Sequence, residues 1–85
     1  MKEKNFKYLT AREIEVLVLL HKGLSNPKIS QKLCISISTA KAHVSAIFDK
    51  INAKNRIELL LMLAGDIDIP NPIIKKQISE IDWNM

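Results

Sequence analysis

Apolar positions along the chain gather into blocks, and each block carries its own start and stop signals. The first block, Ile14 and Val16 through Leu20, is apolar on more than one side, as expected of a helix that lies against several neighbours. It opens at Thr10-Ala11-Arg12-Glu13, where a threonine cap and a glutamate three residues on can satisfy two orphan amides reciprocally. It stops at Gly23, a residue suited to the left-handed position just past a helix. A second helix opens at Ser25-Asn26-Pro27, with Ser25 or Asn26 as cap and proline in the first turn, and runs to about Leu33. Ile29 and Leu33 face inward as i, i+4 partners, and small Ser30 beside them lets another helix approach closely.

Cys34-Ile35-Ser36 is then a turn, with Ser36 as the cap of a third helix over Ile37 to Ile51. Here Ile37, Ala40, Val44, Ile47 and Ile51 recur at steps of three and four, which predicts one buried stripe. The opposite face, Ser38, Ala42, Ser45 and Asp49, is small or polar and is flanked by Lys41, His43 and Lys50, so it can enter a groove without obstruction. The fourth helix begins at Asn55, with Glu58 in a capping-box relation, and ends at Gly65. Its run Leu59-Leu60-Leu61-Met62-Leu63 covers more than half the circumference, so one face is expected in the core and the other exposed to a second chain. No segment favours a strand. An all-α fold follows: an arm over residues 1–8, a four-helix domain over 9–65 and an extension over 66–85.

In the extension, Asn71-Pro72 is a cap followed by proline at the first helical position, and Ile74, Ile78 and Ile81 recur at i, i+4 and i+7. Ile73 and Trp83 widen that stripe, which predicts a short amphipathic fifth helix with Lys75, Lys76, Gln77 and Glu80 on its polar side. So short a helix must dock to persist. The exposed side of the fourth helix is the nearest apolar surface, and exchange across a two-fold axis is favoured over a cover in cis.

Composition narrows the function classes. The 85 residues allow one compact domain with a modest core. A content of 47% hydrophobic residues with only two Gly excludes a disordered segment. Cys34 is the single cysteine, so no internal disulfide or thiol pair for a metal exists. Met1 to Lys7 lack the apolar stretch of a signal peptide, and Leu59 to Ala64 is too short to span a bilayer, so a cytoplasmic, non-membrane protein is expected. Net charge is only +4, but between Lys22 and Arg56 seven cations stand against the one acid Asp49. Such clustering suits a phosphate-binding surface and equally an ordinary solvated face.

A three-residue turn between two helices is the spacing of a helix-turn-helix. Leu9-Thr10-Ala11-Arg12-Glu13-Ile14-Glu15-Val16-Leu17, Gly23-Leu24-Ser25-Asn26, Ile29, Leu33, Ile35-Ser36, Thr39-Ala40-Lys41-Ala42-His43, Ile47, Lys50 and Asn55-Arg56-Ile57-Glu58 together resemble the LuxR/GerE/NarL-type helix-turn-helix domain. The likeness covers about Leu9 to Ala64 in one fixed register. It implies a four-helix DNA-binding domain of transcription regulators, usually C-terminal to a receiver or ligand-sensing domain, as in response regulators, with some members standing alone.

Carried over position by position, Lys41 resembles the family lysine that enters the major groove, with Ala42 and Ser45 at neighbouring base-reading positions. Thr39, His43 and Lys50 resemble backbone-contacting or helix-orienting positions; Ser25 and Asn26 resemble phosphate contacts, and Ser38 joins this backbone set. Asn55 and Arg56 resemble the start of the subunit-pairing helix, where Leu59, Leu60, Met62 and Leu63 complete the expected dimer surface. Ala40, Lys28 and Asp49 depart from the family, which usually has valine, often glutamate and frequently a basic residue at those positions. Asp49 could cost a phosphate contact and is expected beyond the groove edge.

Enzymatic readings find little support. No carboxylate, cysteine or second histidine stands at ligand spacing near His43, so a backbone contact or a packed imidazole is favoured there over catalysis or metal binding. No cofactor is implied. The expected partners are double-stranded DNA and a second copy of the chain, at least on DNA, with RNA polymerase a further candidate. A module that binds another regulator through the fourth helix and the tail is the runner-up, and a sigma-factor region-four-like polymerase subunit is a weaker third reading.

Overall fold

The structure, a computed structural model, describes residues 7–84; residues 1–6 of the expected arm and Met85 lie outside the described residues. Five helices follow in order: α1 over Ala11–His21, α2 over Asn26–Leu33, α3 over Ile37–Ile51, α4 over Arg56–Ala64 and α5 over Pro72–Ser79. No strand occurs among the described residues.

Each helix starts where a short polar side chain can satisfy free amides. Thr10 and Glu13 close the full capping box: the Glu13 amide donates to Thr10 Oγ1 at 3.1 Å and the Thr10 amide donates to Glu13 Oε1 at 2.9 Å. Ser25, not Asn26, caps α2, and Ser36 caps α3 by accepting from the Thr39 amide at 3.0 Å. At α4, Asn55 accepts from the Glu58 amide at 2.8 Å, but Glu58 Oε1 accepts from Lys54, one residue before the cap. The expected capping box is thus displaced by one residue. Asn71 accepts from both Ile73 and Ile74 at the start of α5, with Pro72 first in the helix.

Helix ends need left-handed backbone, and glycine supplies it after α1 and α4, where Gly23 and Gly65 both have φ of 90°. The helix-turn-helix corner uses Cys34 instead, at φ 57°, and α3 ends on Asn52 at φ 68°. With Cys34 turned this way, the Ile35 amide reaches back to the Ser30 carbonyl at 3.0 Å and closes α2 tightly.

The core gathers around α1. Val16 through Leu20 are all buried, as expected of a helix apolar on several sides, and α1 and α2 both pack on α3. Ser30, on the face of α2 nearest the core, is buried and donates to the Pro27 carbonyl, so its hydroxyl is satisfied where the helices approach. On α3 the stripe is buried at Ala40, Ile47 and Ile51, half-buried at Val44 and 45% exposed at Ile37. Burial begins one turn into the helix because Ile37 is its first residue.

Within this single chain the extension packs in cis. Helix α5 docks on its own chain: Ile74 and Ile78 join the same buried cluster as Leu9, Leu59 and Met62. Gln77 hydrogen-bonds both backbone groups of Leu9, and the Trp83 ring meets His21 at 4.6 Å between centroids. Of the expected stripe, Ile74 and Ile78 are buried, Ile81 and Trp83 half-buried and Ile73 37% exposed.

Candidate nucleic-acid interface

Burial of one side of α3 determines what the other side shows. Ser38, Lys41, Ala42, Ser45 and Asp49 are exposed; Ser38, Ala42, Ser45 and Asp49 recur at steps of three and four, with Lys41 beside Ala42, so they form one outward stripe. The bulkiest group in it is Lys41, and the rest of the stripe up to Ser45 is small. His43 is half-buried beside it. At the cap of α3, Ser36 Oγ donates to Thr39 Oγ1 at 2.9 Å, which leaves the Thr39 hydroxyl its own proton to donate. Ser25 is exposed and Asn26 half-buried at the start of α2, where free amides and the positive end of the helix dipole face outward.

Six of the seven cations of the central segment divide into two groups. Lys28, Lys32, Lys41 and Lys54 enter no ion pair among the described residues. Lys50 and Arg56 are committed inside the domain. Lys50 Nζ lies 2.7 Å from Glu13 Oε1, with side-chain exposures of only 24% and 7%, and stands 5.9 Å above the Tyr8 ring. Arg56 Nη2 donates to the Leu24 carbonyl at 2.8 Å and ties α4 to the α1–α2 turn. Both were expected at interfaces, Lys50 with DNA and Arg56 with a partner subunit. In the DNA-free chain each already has an internal partner.

Glu13 reports that commitment. Burial pushes its pKa up, but the hydrogen bond and charge of Lys50, with the bonds to Thr10, outweigh this and hold it below the ordinary 4.5. A lowered folded-state value means that the carboxylate's stabilising effect is fully present above pH about 4.5 and is lost as pH falls through the folded value. Lys50→Ala should therefore lower stability by about 1–3 kcal/mol, since it leaves a buried carboxylate unpaired, while leaving the salt dependence of DNA binding unchanged. Denaturant melts at pH 7 and pH 4 check both signs: Glu13→Gln should flatten the loss below pH 4.5.

The expected dimer surface also divides. Leu59 and Met62 are buried in the core of their own chain, and Asn55 is spent as the cap of α4. What α4 leaves outside is Leu60 at 37%, Leu61 at 38% and Ile57 at 71% exposure, with Leu63 half-buried. Neither Ile57, which precedes the leucine run, nor Leu61, whose direction a leucine-rich run does not fix by periodicity, was among the residues expected at that surface. Cys34 is exposed at the corner. Among the described residues, no group of three His, Cys, Asp or Glu side chains could hold a metal ion, and no helix is long and apolar enough to cross a membrane.

With the helix-turn-helix corner and the outward stripe of α3 in view, comparison with known proteins becomes decisive. The family described as "Bacterial regulatory proteins, luxR family" matches residues 7–63. The chain belongs to the LuxR family. Among its relatives, the "Glycerol metabolism activator" of Pseudomonas putida is 48% identical over 60 residues, which are 71% of this chain and 27% of that protein. The "Oxygen regulatory protein NreC" of Staphylococcus carnosus (strain TM300) is 42% identical over 55 residues, 65% of this chain and 25% of that protein. The chain thus spans about a quarter of the length of these relatives. No solved structure matches it significantly. This LuxR-family unit is a DNA-binding domain of the transcription-regulator type, and its match ends at residue 63, before α5.

Proposed function

We propose that the chain binds duplex DNA sequence-specifically, with α3 in the major groove and no enzymatic activity, in the cytoplasm. The outward stripe of α3 carries the reading: one unpaired lysine among small side chains, on a helix whose other side is core. Lys41 donates to base edges, guanine O6 and N7 being the acceptors that suit it, and Ala42 and Ser45 set the fit beside it. Ser25, Asn26, Ser38, Thr39 and His43 meet the sugar-phosphate backbone on either side and hold the register. Lys28 and Lys54 add charge to that positioning set, whereas Lys50 acts from within by fixing α3 to α1.

Two copies meet on a two-fold operator through the part of α4 left exposed, Ile57, Leu60, Leu61 and Leu63. That surface is small, so the dimer forms on DNA rather than free in solution. Selection from random duplexes followed by a salt titration tests the reading. A selected two-fold site, with log K falling by about one unit per tenfold rise in salt for each ammonium that meets a phosphate, is the expected result. Salt-independent binding, or none, would leave a protein-interaction module instead.

A further inference from the structure

Asp49 sits on the DNA-facing stripe of α3, one turn and about 6 Å beyond Ser45 along the axis. With α3 in the groove as proposed, the helix would leave the groove there and pass close to the phosphate backbone, so an uncompensated carboxylate would repel the ligand. The structure gives Asp49 a counter-charge from the arm: Lys7 Nζ lies 3.2 Å from Asp49 Oδ2. With exposures of 43% and 75%, this pair is too solvated to hold the arm in place by itself. The arm is held from the other side. Gln77 of α5 accepts from the Leu9 amide at 2.7 Å and donates to the Leu9 carbonyl at 2.9 Å, pairing with Leu9 as a strand would. Asn71 Nδ2 donates to the Lys7 carbonyl at 3.2 Å, and the Leu9 side chain is 2% exposed in the core.

We propose that Gln77 is a positioning residue for DNA binding, which fixes the arm so that Lys7 masks the charge of Asp49 on the recognition helix. The inference rests on the DNA-binding reading above and adds to it a role for α5, which lies beyond the residues that match the family. A single residue, Tyr8, separates the Gln77 clamp on Leu9 from Lys7. Freed of the clamp, the arm would keep the Asn71 bond to the Lys7 carbonyl and the buried Leu9 side chain but lose both bonds to the Leu9 backbone, and a solvated ion pair returns too little to make up for the order lost.

A double-mutant cycle on the full chain tests this, read by fluorescence anisotropy with a mixed-sequence duplex of about 30 base pairs at about 0.1 M salt. Removing one compensating charge near the backbone is expected to weaken binding roughly threefold to tenfold for Lys7→Gln. Gln77→Met, which keeps the side chain's length and removes both hydrogen bonds, should do the same. Asp49→Asn should abolish both effects, because no charge is left to mask; a variant that merely loosened the fold would not be rescued in this way. Hydrogen exchange at the Leu9 amide should rise in Gln77→Met and stay unchanged in Lys7→Gln. If Lys7→Gln weakens binding equally in the Asp49→Asn background, Lys7 meets phosphate directly and the masking role is wrong. If Gln77→Met binds as the parent does, α5 has no part in binding. A parent chain that fails to bind the duplex at all would instead overturn the DNA-binding reading and this inference with it.

Discussion

Ile74→Ala is expected to destabilise the domain by about 2–5 kcal/mol, the largest stability change predicted for any position in the extension. Ile74 is fully buried, although it belongs to a helix of eight residues that lies outside the family match. So short a helix does not persist in water on its own propensity, so α5 exists because its apolar side completes the core. Truncating Ile74 removes transfer free energy and leaves a cavity within the cluster it shares with Leu9 and Leu59. Ile73, its neighbour, is 37% exposed, and Ile73→Ala should cost less than about 1 kcal/mol. Urea denaturation of the two variants checks the contrast. Equal and small losses would mean that α5 is an ornament on a domain complete without it; for a domain of this size the expected loss lowers the melting temperature by roughly 10 °C or more.

Lys41→Ala is expected to cost about 1–3 kcal/mol in binding to the selected site and to relax selectivity at one base pair of each half-site. Lys41 is exposed on the stripe of α3 and engages no acid among the described residues, so its ammonium reaches the groove without first breaking an internal bond. Ser45→Ala removes a neutral hydroxyl and should cost less. Lys54→Ala, in the loop before α4, removes charge without base contact and should weaken selected and unrelated duplexes by the same factor. Competition titrations with both kinds of duplex separate the three. Loss of selectivity with Lys54→Ala but not with Lys41→Ala would move the reading surface away from α3.

The features legible in the sequence were those set by short-range chemistry. Thr10, Ser36, Asn55 and Asn71 cap the helices they precede because each is a small acceptor just ahead of free amides. The outward stripe of α3 followed from its buried one, since a helix with one side in the core must show the other. What escaped the sequence depends on partners distant along the chain. Lys50 and Glu13 are separated by 37 positions and Lys7 and Asp49 by 42, and no periodicity links them. The departure at Asp49 was visible, but its remedy in Lys7 was not. On α4 the leucine run offered several equivalent faces, and only packing selected Leu59 and Met62 for the core. The same packing decided α5, because the Leu9 segment and the apolar side of α4 lie within reach of a tail on the same chain.

Replacement of single guanines by 7-deazaguanine in the selected operator tests most directly whether α3 reads bases in the major groove. The modification removes N7, an acceptor presented only in that groove, and leaves pairing and the minor groove intact. At the guanine facing Lys41, the parent chain should lose affinity by about the amount that Lys41→Ala loses on the unmodified site, and Lys41→Ala should show no further loss. Equal sensitivity of parent and variant, or indifference of both at every guanine, would contradict the assignment of α3 and Lys41 to the major groove.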